Sequence, residues 1–187
     1  TLSRELLNSK IYKVFMPNPH ALLLLVRRTR DTNALLADMN GGSPALYIPE
    51  QLPENPETPP TFCMLLRKHL EEGRITRITQ SGLDRIITLE IDMLGASSKI
   101  ITKKLIFELT GKNSNIILLD NEGTILDAIK RVGANTNTVR QFQPGIPFVM
   151  PPAQNKTPLE ALTEDTLSTA FLNLGLQKTV SKALLQT

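Results

Sequence analysis

The chain has 187 residues, enough for one domain with an appendage, and at 41% hydrophobic and 21% charged it can bury a core of its own. Aromatics make up only 4% with no Trp, so that core has to be built from Leu, Ile and Val. A net charge of +3 is too weak alone to assign a nucleic-acid binder, the single Cys63 excludes an intrachain disulfide, and the longest apolar run, Ala21–Val26, is too short to span a bilayer.

In chain order, Leu2–Leu7 reads as the end of a helix. Lys10–Met16 follows as a strand, in which Ile11, Lys13 and Phe15 alternate with Tyr12, Val14 and Met16. Pro17-Asn18-Pro19 marks a turn before a second strand, His20–Arg28, and a third lies within Asn33–Met39. Residues 44–60 hold six of the 13 prolines and read as a connector. A helix comes next, with Phe62, Leu65, Leu66, His69 and Leu70 on one face and Gly73 placed to terminate it. Strands are expected at Arg74–Gln80, Arg85–Asp92, Leu105–Leu109, Asn115–Asp120 and Thr124–Ile129. The last two form a hairpin through Asn121-Glu122-Gly123. Residues 133–156 read as a closing loop. Thr157-Pro158-Leu159-Glu160 is a capping-box helix start that opens a helical tail. The fold class is therefore α+β, a mostly antiparallel β-sandwich flanked by helices and followed by that tail.

Charge is unevenly placed. Residues 44–60 carry Glu50, Glu54 and Glu57 without a base, and residues 128–145 carry Lys130, Arg131 and Arg140 without an acid. Between them lie Arg67, Lys68, Arg74, Arg77 and Arg85. Solvated faces explain such runs as well as a binding surface does.

Catalytic chemistry is hard to assemble. The two histidines, His20 and His69, and the one cysteine form no ligand set, so no protein-bound metal is expected. Cys63 sits among Phe62, Met64, Leu65 and Leu66, the setting of a buried structural thiol. Thr110-Gly-Lys-Asn-Ser114 lacks the first glycine of a phosphate loop and runs into a strand where such a loop needs a helix. Glu71-Glu72 read as neighbours on an exposed helical turn, a poor acid/base dyad. No enzyme, cofactor or secretory signal is expected, and the lone thiol fits the reducing cytosol.

Four stretches nevertheless carry a resemblance. Phe62-Cys-Met-Leu-Leu-Arg-Lys-His-Leu-Glu-Glu-Gly-Arg-Ile75 resembles the signature helix of the NFACT-N domain of the RqcH and fibronectin-binding-protein-A family. Gly82-Leu-Asp84-Arg85 before Ile-Ile-Thr-Leu is similar to that family's Asp-Arg motif. Glu108–Asp120 with Ile125–Val132 resembles its hairpin, and Pro144-Gly-Ile-Pro-Phe148 with Pro151-Pro152 its closing elements. The order and spacing agree over residues 1–152, and residues 153–187 resemble the start of the helix-hairpin-helix domain that follows. Members begin with a helix carrying a Met-Asp-Gly start, and this chain opens partway into that helix.

The resemblance implies a cytoplasmic RNA-binding adaptor. Such proteins bind a large ribosomal subunit obstructed by peptidyl-tRNA and recruit alanyl-tRNA, so that the stalled chain is extended with alanine without a template. It also implies a fold like the N-terminal domain of formamidopyrimidine-DNA glycosylases. The Pro-Glu start which that chemistry uses is absent here. Fibronectin, from which some members take their name, is the alternative partner, and no membrane is implied. Asp84 and Arg85 are the expected tRNA-binding pair: Arg offers a planar fork to phosphate or a base edge, and Asp accepts from amines or 2′-hydroxyls. The competing account is a strand-end ion pair. Arg67, Lys68, Arg74, Lys112, Lys130 and Arg131 are candidates for phosphate contacts.

Overall fold

The computed structural model describes residues 2–29, 31–40, 42–95, 98–135, 140–152, 163–165 and 168. A short helix α1 (Leu2–Leu6) leads into β1 (Lys10–Phe15), β2 (Ala21–Arg28), β3 (Asp31–Asp38) and β4 (Ala45–Tyr47). Helix α2 (Thr61–Leu70) separates these from β5 (Arg74–Gln80), β6 (Ile86–Leu94), β7 (Ile100–Glu108), β8 (Asn115–Leu119) and β9 (Ile125–Ala128). All nine strands join one antiparallel sheet in the order β4-β3-β2-β1-β5-β6-β7-β8-β9. These elements fall within a unit spanning Thr1–Val149, and Met150–Thr187 forms a second unit. The expected helical tail lies outside the described residues, apart from residues 163–165 and 168.

The two-layered sandwich needs a correction. Its two halves are one continuous sheet, joined where Lys10 of β1 pairs with Arg74 of β5. That sheet curls on itself. In a flat sheet β4 and β6 would sit five strand spacings apart, about 24 Å, yet Arg85 at the start of β6 donates from Nη2 to the Pro44 carbonyl before β4 at 2.7 Å. Helix α2 touches β1, β6 and β9, packing one face into the curl while Thr61, Met64 and Lys68 stay exposed on the other. One core accordingly draws on Leu24 and Leu35 from one half and Leu89, Phe107 and Leu118 from the other. Helix α2 buries Phe62, Cys63, Leu66 and Leu70 in it, with the expected Leu65 at the margin.

Local departures have local causes. Strand β1 does not alternate cleanly, because a bulge between Ile11 and Lys13 inserts a residue and lets both Ile11 and Val14 be fully buried. The proline-rich connector hides β4, three residues between Pro44 and Pro49 that pair with Leu36–Asp38 at the sheet edge. Gly73 is not the helix terminator. The left-handed residue after α2 is Glu72, at φ 73°, and Gly73 is needed for room: a Cβ there would meet Met93 Sδ at 2.4 Å and Ile91 Cγ2 at 2.6 Å. The expected β8–β9 hairpin forms, with Gly123 at φ 86° and the Asp120 carboxylate accepting from the N–H groups of Glu122 and Thr124, both at 2.9 Å.

Candidate nucleic-acid interface

Between β5 and β6 the chain reverses through Ser81–Arg85. Gly82 takes φ 53° in open space, so its glycine serves conformation and not packing. The Asp84 N–H donates to the Ser81 carbonyl at 2.9 Å, the Gln80 amide donates to the Asp84 carbonyl at 2.9 Å, and Leu109 N–H donates to the Arg85 carbonyl at 2.8 Å. The turn is therefore held mainly by its backbone, with the Gln80 side chain adding one bond. Its side chains are left outward: Asp84 and Arg85 are exposed and Leu83 is 68% exposed. No ion pair links Asp84 to Arg85 among the described residues. Arg85 engages the Pro44 carbonyl through one nitrogen, leaving most of its five donors directed elsewhere.

Register gathers three more of the candidates at this end of the sheet. Ile86 pairs with Glu108, Glu108 with Asn115, and Ile117 with Ala128, so the chain around Arg85, Leu109, Ser114 and Lys130 forms one rim. From Arg85 to Lys130 is three strand spacings, about 14 Å. Lys112 is exposed in the 3₁₀ turn Gly111–Asn113, which leads into a strand and offers no helix N-terminus to an anion. Lys130 is fixed by the buried Asn115, whose amide donates to the Lys130 carbonyl at 2.9 Å and accepts its N–H at 3.0 Å, mimicking one more rung of the ladder. Neither lysine ammonium is ion-paired among the described residues.

Arg131 is at the same rim but its charge is matched. Its Nε and Nη2 donate to the two oxygens of buried Asp127 at 2.7 and 2.8 Å, and that carboxylate, by hydrogen bond and then by charge, raises the Arg131 pKa. Arg140 is likewise not part of a free basic run. It makes a two-fold contact with buried Glu108, at 2.6 and 3.1 Å, and donates to the Val149 carbonyl, which ties the closing loop to β7.

The remaining candidates lie apart from this rim. Cys63 and Arg67 of α2 and Glu71, which caps it, recur every four residues and all converge on Val14 of β1. Cys63 Sγ lies 3.6 Å from the Val14 carbonyl and Arg67 Nε donates to it at 2.9 Å, while Glu71 Oε1 accepts the Val14 N–H at 3.1 Å. Strand β5 pairs with β1 only at its first residue, so these side chains satisfy the strand edge where no neighbouring strand does. Arg67 also lies over the Phe15 ring at 5.4 Å. It is committed to the fold. Glu71 is half-buried and engaged, not a free carboxylate on an exposed turn. Burial outweighs Arg67 and raises the Cys63 pKa, which keeps it a thiol. Lys68 is exposed on α2; with Lys103, and behind the larger effect of burial, it lowers the His69 pKa. Arg74 lines a cleft at the opposite end of β5, whose other residues, Glu72 apart, no sequence motif singles out.

No group of three or more His, Cys, Asp or Glu among the described residues could hold a metal. No helix among them is long and apolar enough to cross a membrane.

Similarity to known proteins converges on one family. The family model described as NFACT N-terminal and middle domains matches residues 1–187. The protein named Rqc2 homolog RqcH from Bacillus subtilis is 38% identical over 168 residues, 89% of this chain and 30% of that protein. Its namesake from Streptococcus pneumoniae serotype 2 is 35% identical over 153 residues, 81% of this chain and 28% of that protein. The chain thus spans less than a third of the length of either relative. Among solved structures, the N-terminal part of the fibronectin/fibrinogen-binding protein from Streptococcus suis superposes with a TM-score of 0.81 at 30% identity, covering 95% of this chain and 66% of that one. The N-terminal domain of fibronectin-binding protein PavA from Streptococcus pneumoniae gives 0.81 at 29% identity, covering 99% and 73%. The chain belongs to the family of NFACT N-terminal and middle domains.

Proposed function

We propose that this chain is the tRNA- and large-ribosomal-subunit-binding module of a ribosome-associated quality control factor. In that role it helps recruit alanyl-tRNA for template-free alanine tailing of stalled nascent chains. The observation that carries the proposal is the Ser81–Arg85 turn, where Asp84 and Arg85 are exposed side by side without pairing to each other. RNA loops are read by stacking on guanidinium planes and by hydrogen bonds to base edges, and Arg85 supplies both while Asp84 accepts from amines or 2′-hydroxyls. Lys112 and Lys130 stand on the same rim to hold phosphates, and exposed Leu83 adds an apolar surface for a base. Family membership and the relatives named Rqc2 homolog RqcH support the wider context.

The module acts by binding, in the cytoplasm, with no cofactor, and the proposal includes no cleavage of nucleic acid. Titrating tRNA at increasing salt tests it: binding is expected, with log affinity falling linearly in log salt. A second reading, fibronectin binding, is favoured by the names of the superposable streptococcal proteins. Saturable capture of fibronectin together with no measurable affinity for tRNA would replace the first reading by the second.

A further inference from the structure

We propose that the cleft lined by Lys10, Tyr12, Arg27, Arg28, Glu72 and Arg74 is a second RNA contact, one that grips a single strand by its phosphates while a base stacks at Tyr12. It rests on the proposed RNA-binding function but not on the Asp84–Arg85 turn.

The sheet register sets three cations in a row. Lys10 of β1 is directly opposite Arg27 of β2 on one side and Arg74 of β5 on the other. Directly opposed residues of an antiparallel pair project from the same face, and like charges in such pairs repel. Local contacts relieve part of that repulsion. Lys10 pairs with Glu72, Arg27 lies over the Tyr12 ring at 4.6 Å, and Arg74 Nη1 donates to the Asn8 carbonyl at 2.8 Å. With Arg28 alongside, four cations still face one carboxylate in a cleft of about 550 Å³. Phosphate fills that deficit. The cations are spread over three adjacent strands and all these side chains are exposed, an arrangement that suits an extended strand passing across the sheet better than a compact anion. Tyr12 is the stacking platform such a groove needs, carried outward by the β1 bulge beside it.

Backbone strain is concentrated at the same place. Asn8 at φ 65°, Thr29 at φ 57° and Glu72 at φ 73° all line the cleft, and among the described residues only Ser98 is another non-glycine with positive φ. Thr29 is the sharpest case, a β-branched residue in a two-residue hairpin where Asn or Gly is the usual choice. Strain of this kind persists where geometry serves a site. Strand β5 runs from this cleft at Arg74 to the Asp84–Arg85 turn, so the two contacts are separated by about 20 Å along one rigid element.

Tyrosine fluorescence reads the cleft alone. The chain has no Trp and two tyrosines, so Tyr47→Phe leaves Tyr12 as the only fluorophore. In that 187-residue chain, a short unstructured oligoadenylate is expected to quench Tyr12 emission saturably, after correction for RNA absorbance. Replacing Arg27 and Arg74 by Gln should flatten the salt dependence of binding by about 1.4 log units per log unit, two single-strand phosphate contacts. Glu72→Gln should tighten binding, a gain that a damaged fold does not produce. Binding of a labelled oligoadenylate without quenching, an unchanged salt slope in the Arg27/Arg74 variant, or no gain in Glu72→Gln overturns the cleft proposal and leaves the turn as the sole reading. Absence of any RNA binding by the parent chain overturns both.

Discussion

Helix α2 and the Ser81–Arg85 turn each carry a stretch by which the chain resembles its family, and their polar side chains do opposite things. Cys63 and Arg67 of α2, and Glu71 at its C-terminal cap, are all turned onto the backbone of Val14, replacing a missing neighbour strand. In the turn the hydrogen bonds that fix the chain are made mainly by backbone groups, and Asp84 is left exposed with no ion pair among the described residues. A family signature can therefore mark a packing solution or a binding surface. What separates the two is the identity of each side chain's partner. The same contrast divides the basic run near the end of the main unit: Arg140 locks onto buried Glu108, while Lys130, ten residues earlier, has its backbone pinned by Asn115 and its ammonium in no ion pair among the described residues.

Substitutions on the committed side should show as stability, those on the free side as binding. The largest loss is expected for Arg140→Ala, which strands the Glu108 carboxylate in the interior; breaking one partner of a buried pair costs about 3–5 kcal/mol, measurable by urea denaturation. Leu66→Ala, truncating a fully buried α2 side chain, should cost about 2–5 kcal/mol in the same assay. Glu71→Ala should cost about 1–3 kcal/mol because the Val14 N–H loses its acceptor, and Glu71→Gln, which keeps an oxygen there, should recover most of it. A Glu71→Ala protein as stable as the parent would erase the distinction between the two motifs. At the small end, Lys130→Ala should leave the fold intact and flatten the salt dependence of tRNA binding by about one unit.

The sequence foretold most of the strands because their apolar residues recur at the right period and their turns carry Gly, Asn or Pro. Arg74–Gln80 is recovered residue for residue, and the β8–β9 hairpin follows from its Gly123 turn. What stayed hidden depends on distant residues. The curl that brings Pro44 to Arg85 spans 41 positions, and the partners of Arg67 and Arg140 lie 53 and 32 positions away, so neither commitment leaves a local pattern. Strand β4 was masked by flanking prolines that rule out an interior strand but not an edge one. The Asp84–Arg85 turn was legible as a motif, but not its exposure. The cationic row was not legible at all, since Lys10, Arg27 and Arg74 meet only once β1 is paired on both sides. Asn115 did leave a signal: an Asn opening an apolar strand is out of place unless its amide has a backbone to bind.

The central claim is that Asp84 and Arg85 serve RNA and not the fold, and the double Asp84→Ala, Arg85→Ala variant tests it most directly when melting and tRNA titration are measured on the same preparation. Loss of the Arg85–Pro44 hydrogen bond should lower stability by no more than about 1 kcal/mol. The account predicts that tRNA affinity falls at least about tenfold, equivalent to ~1.4 kcal/mol, while the melting temperature stays near that of the parent. A variant that unfolds would return the pair to a structural role, and one that melts and binds tRNA like the parent would remove both residues from the interface.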